Sequence, residues 1–567
     1  MLGKATIATH RLCTELKKDI SIVSDCFIGA SDFIRIVLKD EYIQSRLESM
    51  LSDERLGIPI MNNECVVVDY FGPNVGKELH LGHLRSLAMG QMVSNVLEFY
   101  GATVHRRNHV GDFGSQSGVI IRYLLEYDPK TLESLDYGTC NTSINMEKER
   151  MVRGHKYPEE VIDTTDRRLG LGGIDFPDQL TISTLGEYYR ISTLKYKDDD
   201  LFAHRARLET TALQNGKSVA QKQWDNVVKI SLRHFTEILK SFNATKLKHI
   251  PESCYKIRAN QLIDSLLEAG VAKQFGDSYV EVFLSDCKDS GANRSVLRTR
   301  DGALTYMATD LAALRHRIST HKPDIIIYIT DEAQEFHFKR LEEIAIKANI
   351  LGDCKIEHMG YSPILSQEGD KIRSRSGTQY RISETLSQIK KLARDMIVQN
   401  GDYISQTTHV LSERIGAGGI LFSELSTHHE KSDKYSIDRI AATGLNPLFS
   451  LLLSYSSAFS ILNRLLHSRT PPEYIKDDGF RNETERSLAL TLMGLENEVY
   501  YSLKSRISHR LCKYLRTVSE RFELFCKETT IVDGNKVHLG SLNLVKLTYR
   551  VMKLVFSLLG IKPVEKF

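Results

Sequence analysis

A β-branched run followed at once by a helical segment is the feature that most constrains the fold of this chain. The run CVVVDYFGP covers residues 65–73 and ends at Gly-Pro, as expected of a strand buried on both faces of a parallel sheet. Helical periodicity follows from Leu81 to Tyr100. A second run, TVHRRNHV, and the glycine-rich GDFGSQSG then precede the helical segment VIIRYLLEY. Strand alternating with helix is the pattern of a doubly wound α/β sheet.

The rest of the chain divides around this sheet. The alternation returns at LTYMATDLAALRHR (304–317) and at DIIIYITDEAQEFHFKRLEEIAIKA (324–348), after a polar and irregular stretch, so an insertion splits the sheet. From about residue 383 to the end the pattern is helical throughout. We therefore predict an α/β fold: a doubly wound (Rossmann-like) catalytic domain with an insertion, a small α+β N-terminal domain and an α-helical C-terminal bundle. The predicted segments are 1–60 (N-terminal, read as helix, strand, helix), 61–130 (first half of the sheet), 131–230 (insertion), 231–382 (second half) and 383–567 (bundle).

Composition excludes several classes of protein. The 567 residues are 41% hydrophobic and 26% charged, which supplies several globular cores and excludes wholesale disorder. The 75 basic and 72 acidic residues give a net charge of +3, far from that of a strongly basic nucleic-acid coat protein, so any nucleic-acid partner must meet a local patch. The nine cysteines are scattered singly, which predicts reduced thiols and no zinc site.

No targeting or membrane segment is predicted. Charges at Lys17, Lys18 and Asp19 interrupt any apolar signal region, so we expect a cytoplasmic protein. The longest apolar stretch, residues 448–462, is rich in serine and shorter than the roughly 20 residues that cross a bilayer. It is predicted to be a core helix, with no membrane partner.

The sharpest local signal for chemistry is His80-Leu81-Gly82-His83, which follows the first predicted strand and opens the first predicted helix. The glycine lets the backbone approach a phosphate, the helix N-terminus offers free N–H groups, and two imidazoles can donate to phosphoryl oxygens. That combination suits attack at the α-phosphate of a nucleotide. An isolated HxGH is more often a pair of surface histidines capping a helix, and the strand–turn–helix context is what favours the phosphate site.

Weaker candidates lie further along the chain. GDKIRSRSG (369–377) places Lys371, Arg373 and Arg375 on alternate residues, an arrangement that can neutralise polyphosphate but is equally typical of a solvated charge cluster. Four further polar residues sit at the ends or edges of predicted core elements, where each alone is more often a capping or structural group: Asp69, Tyr306, Asp310 and Gln334.

Taken in order, these segments resemble a known family of enzymes. VVVDYFGPNVGKELHLGHLRSLAMG is similar to the signature region of class I aminoacyl-tRNA synthetases, in which HLGH stands for the HIGH motif. Over most of residues 30–425 the chain resembles the arginyl-tRNA synthetases, through DY-x-x-PNV-x-KE, NHVGDFGSQSG, ISLRHF, TYMATDLAALRHR, IIYITDEAQEFHF and RSRSG. IGAGGILFSEL, HRLCKYLRTVSERFELF and LLGIKPVEKF resemble that family's helical anticodon-binding domain.

The resemblance implies an arginine–tRNA ligase that uses ATP with Mg²⁺ and forms an arginyl-adenylate. It implies that Asp69 faces the cationic end of the substrate, and that Tyr306 and Asp310 grip the guanidinium. Asn74 and Gln334 are implied to hold the α-amino and carboxylate region. The implied catalytic and ATP-binding residues are His80, His83 and Lys77, together with Gly82, Lys371, Arg373 and Arg375.

The sequence departs from the family pattern in four places. The loop DKIRSRSG lacks the second lysine of KMSKS, a change for which family members compensate with the lysine before HIGH, here Lys77. The N-terminal domain is about half the usual length, which puts recognition of the tRNA elbow in question. The insertion at 136–180 has no counterpart. Residues 444–464 replace the family's anticodon helix, with Tyr455 and Arg464 poorly placed.

The N-terminal domain and residues 444–464 both diverge from the family pattern. We therefore predict that tRNA recognition has shifted to basic residues of the C-terminal bundle. The candidates would line one helical face: Lys504, Arg506, Arg510, Lys513 and Arg516, the last three being the predicted tRNA-binding residues. A plain solvated face has the same pattern.

Two other functions remain open at this point. A catalytically reduced paralogue that binds arginine or tRNA in a regulatory role is disfavoured because the signature and pocket residues are intact. An unrelated HxGH nucleotidyltransferase is disfavoured by the large helical C-terminal half. The predicted protein is a monomeric ligase whose partners are tRNA(Arg) and L-arginine.

Overall fold

A five-stranded parallel sheet organises the first two thirds of the chain in the computed structural model. The structure describes residue 9 and residues 11–18, 21–29, 33–61, 63–135, 181–284, 294–372, 380–400, 406–468, 471–476 and 479–566. Every neighbouring pair in the sheet is parallel, and the strands lie in the order Lys355–Tyr361, Ile325–Asp331, Cys65–Tyr70, Thr103–Val110, Lys248–Pro251. Strands Thr103–Val110 and Lys248–Pro251 lie on one side of Cys65–Tyr70, and the later strands Ile325–Asp331 and Lys355–Tyr361 lie on the other side. The strand order therefore reverses beside Cys65–Tyr70. Ligands of doubly wound sheets bind at such a reversal.

The sheet forms because its strands are apolar on both faces. Val66, Val67 and Val68 are fully buried, as are Ile326 and Ile327 on the neighbouring strand. Helices cover the two faces, which is how a parallel sheet excludes water. The doubly wound α/β fold predicted from the alternation is confirmed.

Nine helices of the described residues accompany this sheet, including two within the segment predicted as an insertion. Residues 136–180, the part of that insertion without a family counterpart, lie outside the described residues. A three-stranded antiparallel sheet that the sequence did not predict follows helix Lys256–Glu268: Ala272–Phe275, Tyr279–Phe283 and Arg294–Arg298. The helices are Leu81–Phe99, Ser115–Tyr127, Pro129–Ser134, Ile182–Asp198, Asp200–Gln214, Gln221–Ser241, Lys256–Glu268, Tyr306–His321 and Glu335–Lys347, with short 3₁₀ turns at Glu252–Tyr255 and Glu332–Gln334.

The N-terminal region contains a hairpin and a helix. Strands Val23–Ile28 and Ile34–Leu38 pair antiparallel, so there is one strand more than the predicted helix, strand, helix. Helix Asp40–Ser52 is tied to the C-terminal helices, because Arg486 donates from Nε to Asp40 Oδ1 at 2.8 Å. The bounds of the five predicted segments stay predictions.

The C-terminal region is mainly helical but includes short strands, so the expectation of helix throughout is wrong in detail. Asp433–Lys434 pairs with Ile364–Leu365, and Glu473–Ile475, Lys536–His538 and Val532–Asp533 form a small sheet. The last two strands are joined by a tight turn at Gly534, whose φ of +59° favours glycine. The helices are Ile382–Asn400, Gln406–Ser426, Ile437–Ile440, Asn446–Leu466, Glu483–Met493, Leu495–Ser505, His509–Glu528 and Leu539–Leu558.

One helical stretch of the described residues, Ile437–Leu466, is long and apolar enough to cross a membrane by length and composition alone. Inside the protein it packs against other helices. Leu448, Leu452 and Tyr455 are buried, and the Tyr455 ring stacks on Tyr549 with centroids 4.9 Å apart. This packing matches the predicted core helix.

Candidate functional site

A cavity of about 870 Å³ opens at the carboxyl ends of the strands, where the strand order reverses. Residues from distant parts of the chain meet here because parallel strands end at the same edge of the sheet. The predicted site residues that line it are Asp69, Asn74, Lys77, His80, Gly82, His83, Tyr306, Asp310, Gln334 and Lys371. Arg373 and Arg375 lie outside the described residues.

The two histidines of the HLGH motif cap the helix that they open. His80 is the N-cap residue, and its Nδ1 accepts from the Gly82 N–H at 3.2 Å. The His80 N–H in turn donates to His83 Nδ1 at 3.2 Å, and the ring centroids are 4.1 Å apart. Because Nδ1 of His80 is an acceptor, the neutral ring carries its proton on Nε2. That N–H is therefore available as a donor.

Both imidazoles are neutral at pH 7. Burial, followed by the nearby charges of His83, Lys77 and Lys371, holds the pKa of His80 well below its usual value. Burial lowers the pKa of His83 to about 4. The pair therefore offers hydrogen bonds rather than positive charge to a ligand.

Gly82 is required by this cap. A Cβ at this position would lie 2.9 Å from Cε1 of the His80 ring, closer than carbon atoms pack. The glycine thus makes room for the imidazole, a role beyond the close approach to phosphate expected from the sequence.

Two lysines supply positive charge near the histidines. Lys77 Nζ lies 4.2 Å from the ring centroid of Tyr189, a cation–π contact, and Lys371 Nζ lies 2.7 Å from Asp331 Oδ2. Tyr189 belongs to helix Ile182–Asp198, in the segment that was predicted to be an insertion. One end of the cavity is therefore lined by nitrogen donors, which suit phosphate oxygens.

Another part of the cavity is acidic. Asp310 Oδ2 accepts from His337 Nε2 at 2.7 Å, and Asp310 Oδ1 lies 3.2 Å from His109 Nε2. Although burial opposes it, these two histidines hold the pKa of Asp310 well below its usual range. Glu252 Oε1 lies 3.9 Å from His109 Nε2, and burial followed by the charges of Asp310 and Asp112 raises the pKa of Glu252 well above its usual value. This wall suits a cation, which would lower the pKa of Glu252 and bring it into ionised form.

A hydrogen-bonded chain connects the acidic part to the backbone. Tyr306 donates from its hydroxyl to Gln116 Oε1 at 2.9 Å, and Gln116 Nε2 donates to the Gly111 carbonyl at 3.0 Å. Asn74 Oδ1 lies against Gly111, where a Cβ would approach it to 2.0 Å. The side chain of Tyr306 is therefore fixed by these hydrogen bonds, and that of Asn74 by its packing against Gly111.

Asp69 has a charged partner inside the protein. Its carboxylate is buried and lies 2.5 Å from Arg317 Nη2, and Arg317 is itself 2% exposed. An arginine of the protein's own helix Tyr306–His321 thus already compensates the charge of Asp69. Asp69 lines the cavity, and its implied role facing the cationic end of the substrate stays a prediction.

Known proteins share this architecture and these motifs. Residues 46–147 and 175–438 match the family model described as tRNA synthetases class I (R), catalytic domain, and residues 451–567 match the DALR anticodon binding domain. This chain belongs to the class I tRNA synthetases of the arginine type. Membership covers most of the chain, including every cavity residue discussed above.

Individual relatives agree with this assignment to the synthetase family. The chain is 29% identical over 556 residues to a curated protein of Crocosphaera subtropica named arginine–tRNA ligase, covering 95% of this chain and 86% of that protein. A protein of the same name from Haemophilus influenzae is 28% identical, with 95% and 87% covered. In fold, the chain resembles the crystal structures of arginyl-tRNA synthetase from Plasmodium falciparum (TM-score 0.70, 23% identity, 97% and 87% covered) and Thermus thermophilus (TM-score 0.68, 18% identity, 99% and 92% covered).

The five basic residues of the predicted cationic face are divided between two helices in this synthetase, and the three predicted tRNA-binding residues lie on the second helix. Arg506 adopts a left-handed φ of 59°, which ends helix Leu495–Ser505, and Arg510 lies in the first turn of the next helix, His509–Glu528. Arg506 Nε lies 3.4 Å from Glu357 Oε1, and Arg510 donates twice to Glu498 at 2.7 and 2.9 Å. The predicted continuous face is wrong because the chain turns within it. Lys513 and Arg516 remain exposed, three residues apart on helix His509–Glu528.

Sequence reasoning missed three cavity residues, His109, His337 and Tyr189, and one residue that supports the cavity, Gln116. His109 and His337 hold Asp310, Gln116 holds Tyr306, and Tyr189 contacts Lys77. Three of them lie inside motifs already recognised as family-like, NHVGDFGSQSG and IIYITDEAQEFHF, which was the available signal. Tyr189 carried no such signal. Within the described ranges, no three His, Cys, Asp or Glu side chains are grouped so as to hold a metal ion.

Proposed function

We propose that this synthetase ligates L-arginine to tRNA(Arg) in two steps at the cavity. In the first, an arginine carboxylate oxygen forms a bond to the α-phosphorus of ATP while the bond to the bridging oxygen breaks and pyrophosphate leaves. In the second, a hydroxyl of the terminal tRNA ribose takes the arginyl group and AMP leaves. The observation that carries the proposal is the union, in one cavity, of the ionised Asp310 carboxylate with the HLGH helix cap.

The acidic wall would select arginine. A guanidinium is a planar, permanently charged set of donors, and it pairs best with a carboxylate and a flat aromatic neighbour. Asp310 supplies the charge and Tyr306 supplies the ring. We assign Asn74 and Gln334, which line the same cavity, to the α-amino and carboxylate region. Glu252, next to His109, adds a second carboxyl group that ionises when the cation enters.

The nitrogen-rich end would bind the nucleotide. His80 Nε2–H and His83 are neutral donors to the α-phosphate, whereas Lys77 and Lys371 supply charge as pyrophosphate departs. Arg373 and Arg375 are proposed to join them. Nitrogen donors suit phosphate oxygens and not Mg²⁺, so Mg²⁺ would be held by the ATP phosphates and water. The protein's part is to orient the reactants and to stabilise charge.

The C-terminal helices would hold the tRNA. The DALR match over residues 451–567 supports an anticodon-binding role, and the exposed pair Lys513 and Arg516 offers cations for phosphates. Arg510 contributes less, since Glu498 already neutralises it. We further propose that the protein acts as a monomer in the cytoplasm.

The direct test is charging of total tRNA with labelled arginine and ATP. We expect acid-precipitable arginine to accumulate, and we expect arginine-dependent pyrophosphate exchange to require tRNA, as the family resemblance implies. Arginine binding without any charging would favour the regulatory paralogue instead. Robust exchange without tRNA would contradict the expected tRNA requirement alone.

A further inference from the structure

A buried arginine behind the HLGH motif connects three parts of the chain. Arg85 lies on the helix that the motif opens and is 1% exposed. Its Nε donates to Glu424 Oε2 at 2.9 Å, and its Nη2 lies 3.4 Å from Asp433 Oδ2. Its Nη1 donates to the carbonyl oxygens of Ser362 at 2.7 Å and Lys431 at 3.1 Å. A buried charge is costly unless it is paired, so these acceptors hold the guanidinium in one orientation.

The acceptors come from separate elements. Glu424 lies near the end of helix Gln406–Ser426, and Ser362 directly follows the sheet strand Lys355–Tyr361. Lys431 lies in the turn that leads into the strand Asp433–Lys434. Arg85 therefore joins the signature helix, an outer strand of the sheet and the start of the C-terminal helices.

The strand pair beside Arg85 carries a residue of the nucleotide end. Residues 364–372, here called the loop stem, begin two residues after Ser362, and Ile364–Leu365 pairs with Asp433–Lys434. Leu365 also forms a backbone bridge to Lys371 at the other end of the stem. Ile364 and Lys371 both line the cavity. The partners of Arg85 thus flank the short strands that place Lys371.

We propose that Arg85 is a positioning residue for adenylation, which fixes the loop stem relative to the HLGH helix and thereby places Lys371 at the phosphates. This inference rests on the proposed function. Arg85 does not line the cavity, and it acts through the stem. A shift of about 1 Å in a positioned group costs about 10²-fold in rate, so small movements of the stem matter.

The test compares Arg85→Lys with a matched buried arginine. Arg106 is 5% exposed, lies 2.8 Å from Glu98 Oε1 and pairs with the far end of the same helix, so Arg106→Lys disturbs a similar ion pair away from the stem. We expect Arg85→Lys to lower kcat for arginine activation with tRNA by about 10²-fold. The KM for arginine should stay within about 3-fold, since Asp310 and Tyr306 have their own partners. The control should stay within about 3-fold in both constants.

A double variant tests the route through Lys371. If Arg85 acts by placing Lys371, then Arg85→Lys combined with Lys371→Gln should be no slower than Lys371→Gln alone, within about 3-fold. Losses that multiply would overturn the proposal, as would a kcat for Arg85→Lys no lower than that of the control. If Arg85→Lys does not fold, Glu424→Gln decides: a fall in kcat of about 10-fold with unchanged KM supports the role, and no change overturns it. Failure of the parent protein to charge arginine would instead remove the proposed function.

Discussion

The cavity at the sheet edge and the cationic face of helix His509–Glu528 hold their charges in opposite ways. In the cavity, His80 and Asp310 are half-buried, and each has partners that fix its orientation. On the helix, Lys513 and Arg516 are exposed. Fixed groups in a water-poor cavity can discriminate and catalyse, whereas exposed charges are screened within about 8 Å at physiological salt. The first region is therefore expected to control rate and selectivity, and the second to control salt-dependent affinity.

The largest effect on the charging rate is expected at His80. Two variants can separate its role as a helix cap from its role as a hydrogen-bond donor to the phosphate. His80→Ala should lower the charging rate by about 10²-fold or more, because a positioned donor to the transition state is lost. His80→Asn keeps a good helix cap, so it should restore stability but not rate. Charging kinetics and thermal unfolding of both variants, with His204→Ala on an exposed helix as control, measure this. Normal turnover by His80→Asn would show that the ring serves only as a cap.

Loss of the buried charge should come next in size. Asp310→Asn should raise the KM for arginine by about 10²-fold, because the guanidinium loses its ionised partner in a buried site. The KM for ATP should change by less than about 3-fold. Steady-state charging with each substrate varied measures both constants, and the exposed Asp264→Asn is the control. Equal losses for the two substrates would mean that Asp310 is structural.

Acid should destabilise the sheet region. The pKa values of His83 and His249 are lowered to about 4 by burial, so below the ordinary value of 6.5 the unfolded chain binds more protons than the folded one. Stability is then lost as the pH falls from 6.5 toward 4, by about 2 kcal/mol for each such histidine at pH 5. Asp112, whose pKa burial raises to about 6, opposes this by a smaller amount.

Fluorescence of the single tryptophan can measure this loss. Trp224 is buried beside the sheet, where its Nε1 donates to the Asp112 carbonyl at 3.1 Å. The urea midpoint of its signal should fall between pH 7 and pH 5. His249→Gln, which does not titrate, should reduce the fall. A midpoint independent of pH would contradict the assignment of neutral buried imidazoles.

The smallest effect is expected on the helical face. Replacing Lys513 and Arg516 together by Gln should weaken tRNA binding about 3- to 10-fold at low salt and reduce the salt slope by about two. Arg510→Gln is the matched comparison on the same helix, and should do less because Glu498 pairs with Arg510. Binding titrations over a range of salt concentrations test this. If the double variant binds like the parent while altered anticodons abolish charging, recognition lies with the divergent helix.

The two regions also differ in how far the sequence predicts them. Strand runs separated by helical segments predict a parallel sheet. A parallel sheet places Asn74, His80 and Asp310 at the same edge, whichever side chains pair with them there. The partners of these cavity side chains could not be predicted from the sequence. Asp69 contacts Arg317, and His109 contacts Asp310, although roughly 200 residues or more separate each pair and no local pattern connects them. These pairings depend on packing.

The helical spacing of the basic residues gave a wrong prediction because the helix is not continuous. The spacing from Lys504 to Arg516 predicts one face only if the helix does not end, and the left-handed backbone at Arg506 ends it. Arginine carries no signal for that conformation, unlike glycine. The segment predicted as an insertion supplies Tyr189 to the cavity wall, since its helices Ile182–Asp198 and Asp200–Gln214 pack against helix Ser115–Tyr127.

We propose above all that the carboxylates of the cavity select a cation for attachment to tRNA. The most direct measurement compares charging of labelled arginine with that of citrulline, which has the same shape but a neutral urea group. We expect kcat/KM for arginine to exceed that for citrulline by about 10³-fold or more, because the neutral urea group of citrulline brings no positive charge to the ionised Asp310. Comparable charging of the two amino acids, or charging of neither, would contradict the account.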